Sequence, residues 1–251
     1  MEIAGSAQGS FAAIARDDGR AVLVTAVRGP RAGERLLVRA DGERQGTLGD
    51  AALDKEAVAH AEELMWAERS ELRGDLFLDV TAPAPRLLIF GAVAYAGHLA
   101  HLARVAGFRA FVIDPRARFA TRERFPDAVE VVVAWPEPAL EQLGAIDRAS
   151  YLAVLSNDPK IDDAILLLAL HADPAYIGAM GSRHAQAERR ERLLAAGMTE
   201  ADLERISAPV GLDLGALSSA ETALSIVAEV VAVRHGRSGG RLSARTSESI
   251  H

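Results

Sequence analysis

"RLLIFGAVAYAGHLAHLARVAGFRAFVID", residues 86–114, decides how this chain folds. Residues 87–90 are a continuous apolar block that stops at Gly91. From Tyr95 to Gly107 the apolar residues recur at helical spacing, and the glycine closes the run. A second apolar block, 110–113, ends at Asp114. A strand with no polar alternation is buried on both faces. Two such strands joined by a helix form a parallel pair with a crossover.

The cadence continues downstream. "EVVVAW" (130–135) predicts a third strand and "PALEQLG" (138–144) a helix. "YLAVLS" (151–156) predicts a fourth strand, followed by a helix from about Asp162 to His171. "AYIGA" (175–179) is a fifth, with a helix opening at Ser182-Arg183. A last helix starts at "SSAE", where Ser218 and Glu221 have capping-box spacing. Upstream, "AVLVTAV" (21–27) and "RLLVRA" (35–40) predict strands about a "GPRAG" turn, and Asp41-Gly42 starts another turn. A helix follows over 52–70 and a strand over 76–80. "TAPAPR" (81–86) is a proline-punctuated connector. The fold class expected is α/β: a Rossmann-like doubly wound parallel sheet preceded by a small mixed α/β domain. The domains expected are residues 1–82, residues 83–236, and a polar Gly/Ser-rich tail, 237–251, read as disordered.

Among 251 residues, 49% are hydrophobic and 25% charged, which suits a globular protein with a sizeable core. A net charge of −7 argues against nucleic-acid or anionic-membrane partners. The chain has no cysteine, so it contributes no disulfide, thiolate ligand or thiol nucleophile. The first twenty residues lack a basic segment followed by an apolar one. The longest apolar stretch, residues 222–233, is broken by Glu229 and is too short to span a bilayer. These features predict a cytoplasmic protein. No Gly-x-Ser-x-Gly or His-Glu-x-x-His pattern occurs, so no catalytic residue and no metal site is assigned.

Four loops follow predicted strand ends, where ligands of such sheets bind. The first holds Gly91 and Ala92. A dinucleotide fingerprint needs glycines two and five positions after Gly91, but Val93 and Ala96 stand there, and Val93 would crowd a pyrophosphate. Asp114 ends the second strand at the place of a ribose-binding acid, and Arg116 opens an arginine-rich loop suited to phosphate. "SNDPKIDD" offers Ser156, Asn157 and Asp158, with Asp162 as a candidate helix cap. "YIGAMGSR" offers Gly178, Gly181, Ser182 and Arg183: two glycines at a strand end, then a helix N-terminus that suits an anion. "APVGLDLGA" adds Gly211 and Asp213. His98 and His101 share a helix face and read as packing or surface residues.

Together, "IFGAVAYA", "VIDPRARFATRERFPDA", "LSNDPKIDDAILLLAL", "YIGAMGSR", "PVGLDLGA" and the final "SIVAE" helix resemble the C-terminal Rossmann domain of the XdhC/CoxI family. "VTAVRGPRAGERLLV" with "GTLGDAAL" is similar, more loosely, to that family's N-terminal domain. The resemblance implies a non-catalytic accessory factor. Such a factor binds the molybdenum cofactor (molybdopterin), protects it during sulfuration by a cysteine desulfurase, and assists its insertion into an apo molybdenum hydroxylase. A homodimer is the oligomer expected. The chain departs from the family pattern at Ala52, where the family's cysteine would fall, and at Val93, Ser156 and Asn157. Two other readings stay open: an NAD(P)-binding oxidoreductase, and a ligand-free scaffold that binds part of a hydroxylase.

Overall fold

The computed structural model describes residues 5–244, and the chain divides into two compact units, Met1–Pro83 and Ala84–His251.

In the first unit, strands β1 (Ala21–Ala26), β2 (Arg35–Arg39), β3 (Arg44–Thr47), β4 (Glu71–Arg73) and β5 (Leu76–Thr81) form an antiparallel sheet in the order β3-β2-β1-β5-β4. Helices α1 (Ala7–Arg16) and α2 (Ala51–Ala67) pack on opposite faces. Side chains alternate across a strand, and β1 shows it. Ala21 and Leu23 join Phe11 and Ile14 of α1, whereas Val22, Val24 and Ala26 join Leu64 and Met65 of α2. Asp50 caps α2 by accepting from the amides of Ala52 and Leu53. Ala52 therefore sits exposed in the first helical turn, with its amide already engaged.

The second unit contains β6 (Arg86–Phe90), α3 (Ala94–Val105), β7 (Arg109–Ile113), β8 (Glu130–Val132), α4 (Pro136–Leu143), β9 (Ser150–Val154), α5 (Pro159–His171), β10 (Tyr176–Ala179), α6 (Arg183–Ala195), α7 (Glu200–Leu203), β11 (Ile206–Ser207) and α8 (Ser219–Arg234). The strands form one six-stranded parallel sheet in the order β11-β10-β9-β6-β7-β8. This is the doubly wound arrangement, with its order reversing between β6 and β9. Leu87 and Ile89 face a core shared with α3 and α8, and Leu88 and Phe90 face one shared with α4 and α5. Both faces of β6 are thus covered, as its unbroken apolar sequence requires.

Among the boundaries that differ from the sequence reading, two have a clear local cause. The third strand stops at Val132, because Val133 and Trp135 turn out to half exposure before α4 starts at Pro136. Helix α5 starts at Pro159 rather than near Asp162, because Asp158 is its cap and accepts from the Lys160 amide at 3.0 Å. Proline at the first helical position loses no intrahelical bond. Of the tail, residues 237–244 carry one short 3-10 turn, Leu242–Ala244, and residues 245–251 lie outside the described residues. No helix of the described residues is long and apolar enough to cross a membrane.

Candidate functional site

The loops at the carboxyl ends of β6, β7, β9 and β10 lie along one edge of the parallel sheet. Their glycines and acids divide into those spent on the fold and those left available.

Gly91 has φ +117°, and a Cβ there would lie 2.7 Å from the Ser156 nitrogen and 2.8 Å from its Cα. Its bare backbone is what lets the ends of β6 and β9 approach. Gly178 does similar work, since a Cβ would meet the Tyr176 hydroxyl and Val210 at 2.5 Å. At Gly211 a Cβ would lie 2.4 Å from Ser225 Oγ. The sequence offers all three as cofactor-contact residues; in the structure the bare Cα of each faces a neighbouring segment of the chain. Gly181 differs. Its φ of +148° favours glycine, but a Cβ would have only ordinary contacts, with Arg189 Nη2 at 3.6 Å and Nη1 at 3.7 Å.

Asp114 also turns inward. It is fully buried and accepts four hydrogen bonds: from the amides of Ala92 (2.8 Å) and Arg116 (2.9 Å), and from Arg116 Nε (2.8 Å) and Nη2 (2.7 Å). Those bonds use all the acceptor capacity of a carboxylate, so Asp114 has none left for ribose hydroxyls. Burial pushes this carboxyl upward, but the Arg116 fork and the two amides more than reverse that, and it sits below the usual carboxylate range. A depressed group stabilises the fold above its unfolded value and loses that stabilisation as pH falls. Asp114→Asn is therefore expected to cost ~1–3 kcal/mol, because its amide faces donors. The variant should also show a shallower loss of stability below about pH 4, measured as urea midpoints across acid pH.

Ser156 is buried as well. Its hydroxyl donates to Asp162 Oδ1 and accepts from the Asp158 amide at 3.1 Å. Asp158 caps α5, so Asp162 is not the cap. Its exposure is 2%, and it pairs with Arg189 Nη2 at 3.1 Å. Burial raises the Asp162 carboxyl above its ordinary value, and Ser156 and Arg189 only partly offset this. Ala92 is buried and lends its amide to Asp114. Asp213 is exposed in the loop before α8.

What remains available gathers around the start of α6. Ser182 caps the helix through the Ala185 amide at 3.2 Å. The amides of Arg183 and His184 belong to the first turn and have no intrahelical acceptor. Asn157 is exposed with φ +55°. Asn157, Ser182 and Arg189 line one cavity of about 320 Å3. Arg189 also lines a second cavity, of about 250 Å3, with Leu193, Ile206 and Ala208.

Sequence reasoning missed Arg189. Its side chain is 6% exposed. Nη2 donates to Asp162 Oδ2 and to the Met180 carbonyl at 2.8 Å. Nε and Nη1, also buried, find no acceptor among the described residues. A buried donor left unpaired costs ~1–3 kcal/mol, so three such N–H groups at a sheet's ligand edge call for an explanation. No group of three or more His, Asp or Glu suited to a metal ion occurs among the described residues.

The model of the XdhC Rossmann domain matches residues 87–230, and that of the XdhC and CoxI family matches residues 14–74. A Bacillus subtilis protein named as a probable xanthine dehydrogenase subunit is 32% identical over 160 residues, covering 64% of this chain and 46% of the relative. The Escherichia coli molybdenum cofactor insertion chaperone PaoD is 29% identical over 152 residues, covering 61% of this chain and 41% of PaoD. The chain spans under half the length of these curated relatives. A Bacillus halodurans crystal structure described as a xanthine dehydrogenase superposes with a TM-score of 0.64 at 23% identity. That superposition covers 96% of this chain and 69% of the other, a likeness of fold.

Proposed function

The chain belongs to the XdhC and CoxI family, and on that premise we propose that it is an accessory factor that binds the molybdenum cofactor as cargo. In this reading it protects the cofactor during sulfuration, with a cysteine desulfurase as donor. It then assists insertion into the apo form of a molybdenum hydroxylase of the xanthine dehydrogenase or CO dehydrogenase type. It acts in the cytoplasm as a homodimer and catalyses no reaction itself. The name of the PaoD relative supports this cargo.

The observation that carries the reading is the set of uncommitted donors at the start of α6, which suits the anionic end of a pterin cofactor. Gly181, Ser182, Arg183 and Asn157 would hold it, with Gly178 and Gly211 shaping the loops behind them and Asp213 at the rim. Asp158 and Ser156 keep the α5 loop in place, and Gly91, Ala92, Asp114 and Arg116 fix the neighbouring turn. With no cysteine in the chain and Ala52 presenting only a methyl group, the cargo is held through its organic part rather than by a thiolate on molybdenum.

An NAD(P)-dependent oxidoreductase is disfavoured by Val93 at the second glycine position and by the saturated Asp114. The test is cofactor content. The chain, purified from a host that makes molybdenum cofactor and then oxidised, should yield fluorescent pterin near one per chain. No pterin, even after free cofactor is added, would defeat the reading and leave the scaffold alternative.

A further inference from the structure

We propose that Arg189 is the anchor of a phosphoryl-binding site in the cavity between the Asn157–Pro159 loop and the start of α6. The proposal rests on the reading of this sheet edge as the ligand face. It adds the residue that makes the site and the chemical group it takes.

Four charged side chains line this cavity, and three are committed to neighbours. Asp162 is held by Ser156 and Arg189. Arg192 is paired with Asp163, and Glu188 faces His184 at 3.2 Å. The uncommitted cationic donors are those on Nε and Nη1 of Arg189. Nε carries one unpaired N–H and Nη1 two; because Nη2, the member common to both bidentate edges, is engaged, each of these donors meets a phosphoryl oxygen singly, as a charge-assisted hydrogen bond.

Nη2 is tethered to Asp162 and Met180, so the side chain is positioned before any ligand arrives. Arg189 lines the cavity on either side of it. The same cavity receives Ser182, which begins the 13-residue helix α6, so the helix dipole and the Arg183 and His184 amides add to the attraction. Gly181 lies against the guanidinium, Nη1 being 3.7 Å from the position of a Cβ. The second glycine of "YIGAMGSR" supplies the φ of +148° that this turn takes beside the buried arginine.

Inorganic pyrophosphate is the probe, titrated calorimetrically into the full chain at fixed ionic strength, with sulfate as control. Wild type should bind pyrophosphate, and Arg189→Lys, which keeps the charge but loses the Nε and Nη1 donors, should bind at least tenfold more weakly. Arg109→Ala, which removes an exposed cationic side chain at the amino end of β7, the opposite edge of the sheet, should change affinity less than threefold. In the 15N-labelled protein the Arg189 Nε–H resonance should shift on titration, a readout that loss of structure alone would not give. Circular dichroism shows whether Arg189→Lys folds; if it does not, the Nε–H shift in wild type decides. No pyrophosphate binding, binding unaffected by Arg189→Lys, or equal binding of sulfate as an adventitious ion only would each overturn the proposal. Pterin content is independent of this result. Pterin retained without pyrophosphate binding sinks the Arg189 site alone, whereas pyrophosphate bound by a chain that never carries pterin sinks the cargo reading alone.

Discussion

Replacing Gly91 with valine is expected to destabilise the parallel unit by about 2–6 kcal/mol, a large part of the stability of an ordinary domain. Two costs add. A non-glycine residue at φ +117° is strained by ~1–3 kcal/mol. The new Cβ would also sit 2.7–2.8 Å from the Ser156 backbone, and overpacking of this kind costs ~1–3 kcal/mol. Backbone cannot move aside like a flexible side chain, because β6 and β9 are paired from Arg86–Ser150 to Phe90–Val154. Urea unfolding followed by circular dichroism measures the loss. A midpoint within error of wild type would show that the two strand ends are further apart than their pairing implies. It would also reopen the possibility that Gly91 exists to admit a ligand.

Gly91 shows how far the sequence could be read. Its position was legible, because a glycine after a buried strand marks a turn. Its purpose was not, because Ser156 lies far along the chain and only the β6–β9 pairing brings the two together. The parallel strands were legible because burial on both faces leaves no polar letters in them. Edge strands carry no such signature. β3 reads "RQGT" and is largely exposed, β11 is two residues long, and β8 ends before its apolar letters do. Helix α1, which the sequence reading lacks, does carry its signal: Ala7, Phe11 and Ile14 recur at helical spacing and face β1.

Arg189 was hidden for a related reason. In "AERRERLL" it looks like one of several charges on a solvated helix face. It does lie one turn before buried Leu193, on the inward side of α6, and that spacing was the available signal. What buries it is Asp162, 27 residues earlier, on another helix.

Asp162→Ala is the second large effect expected, about 3–5 kcal/mol of lost stability. Removing one partner of a buried pair leaves the other charge uncompensated, and here the guanidinium already lacks acceptors for Nε and Nη1. Ser156 loses its acceptor in the same step. Asp162→Asn should cost less, since an amide can still accept from Arg189 and donate to Ser156. The pH dependence separates charge from packing. Burial raises the Asp162 carboxyl, so between its unfolded and folded values the native state holds a proton that the unfolded chain has released. Stability then falls as pH rises through that window, opposite in sign to the contribution of Asp114, and Asp162→Asn should remove this component. Thermal melts across acid pH test both points. If Asp162→Ala melts like wild type, the Met180 carbonyl alone suffices to hold the guanidinium and the buried pair carries no stability. If pyrophosphate restores the variant's melting temperature, the anion substitutes for the missing carboxylate, as expected of a ligand that Arg189 binds directly.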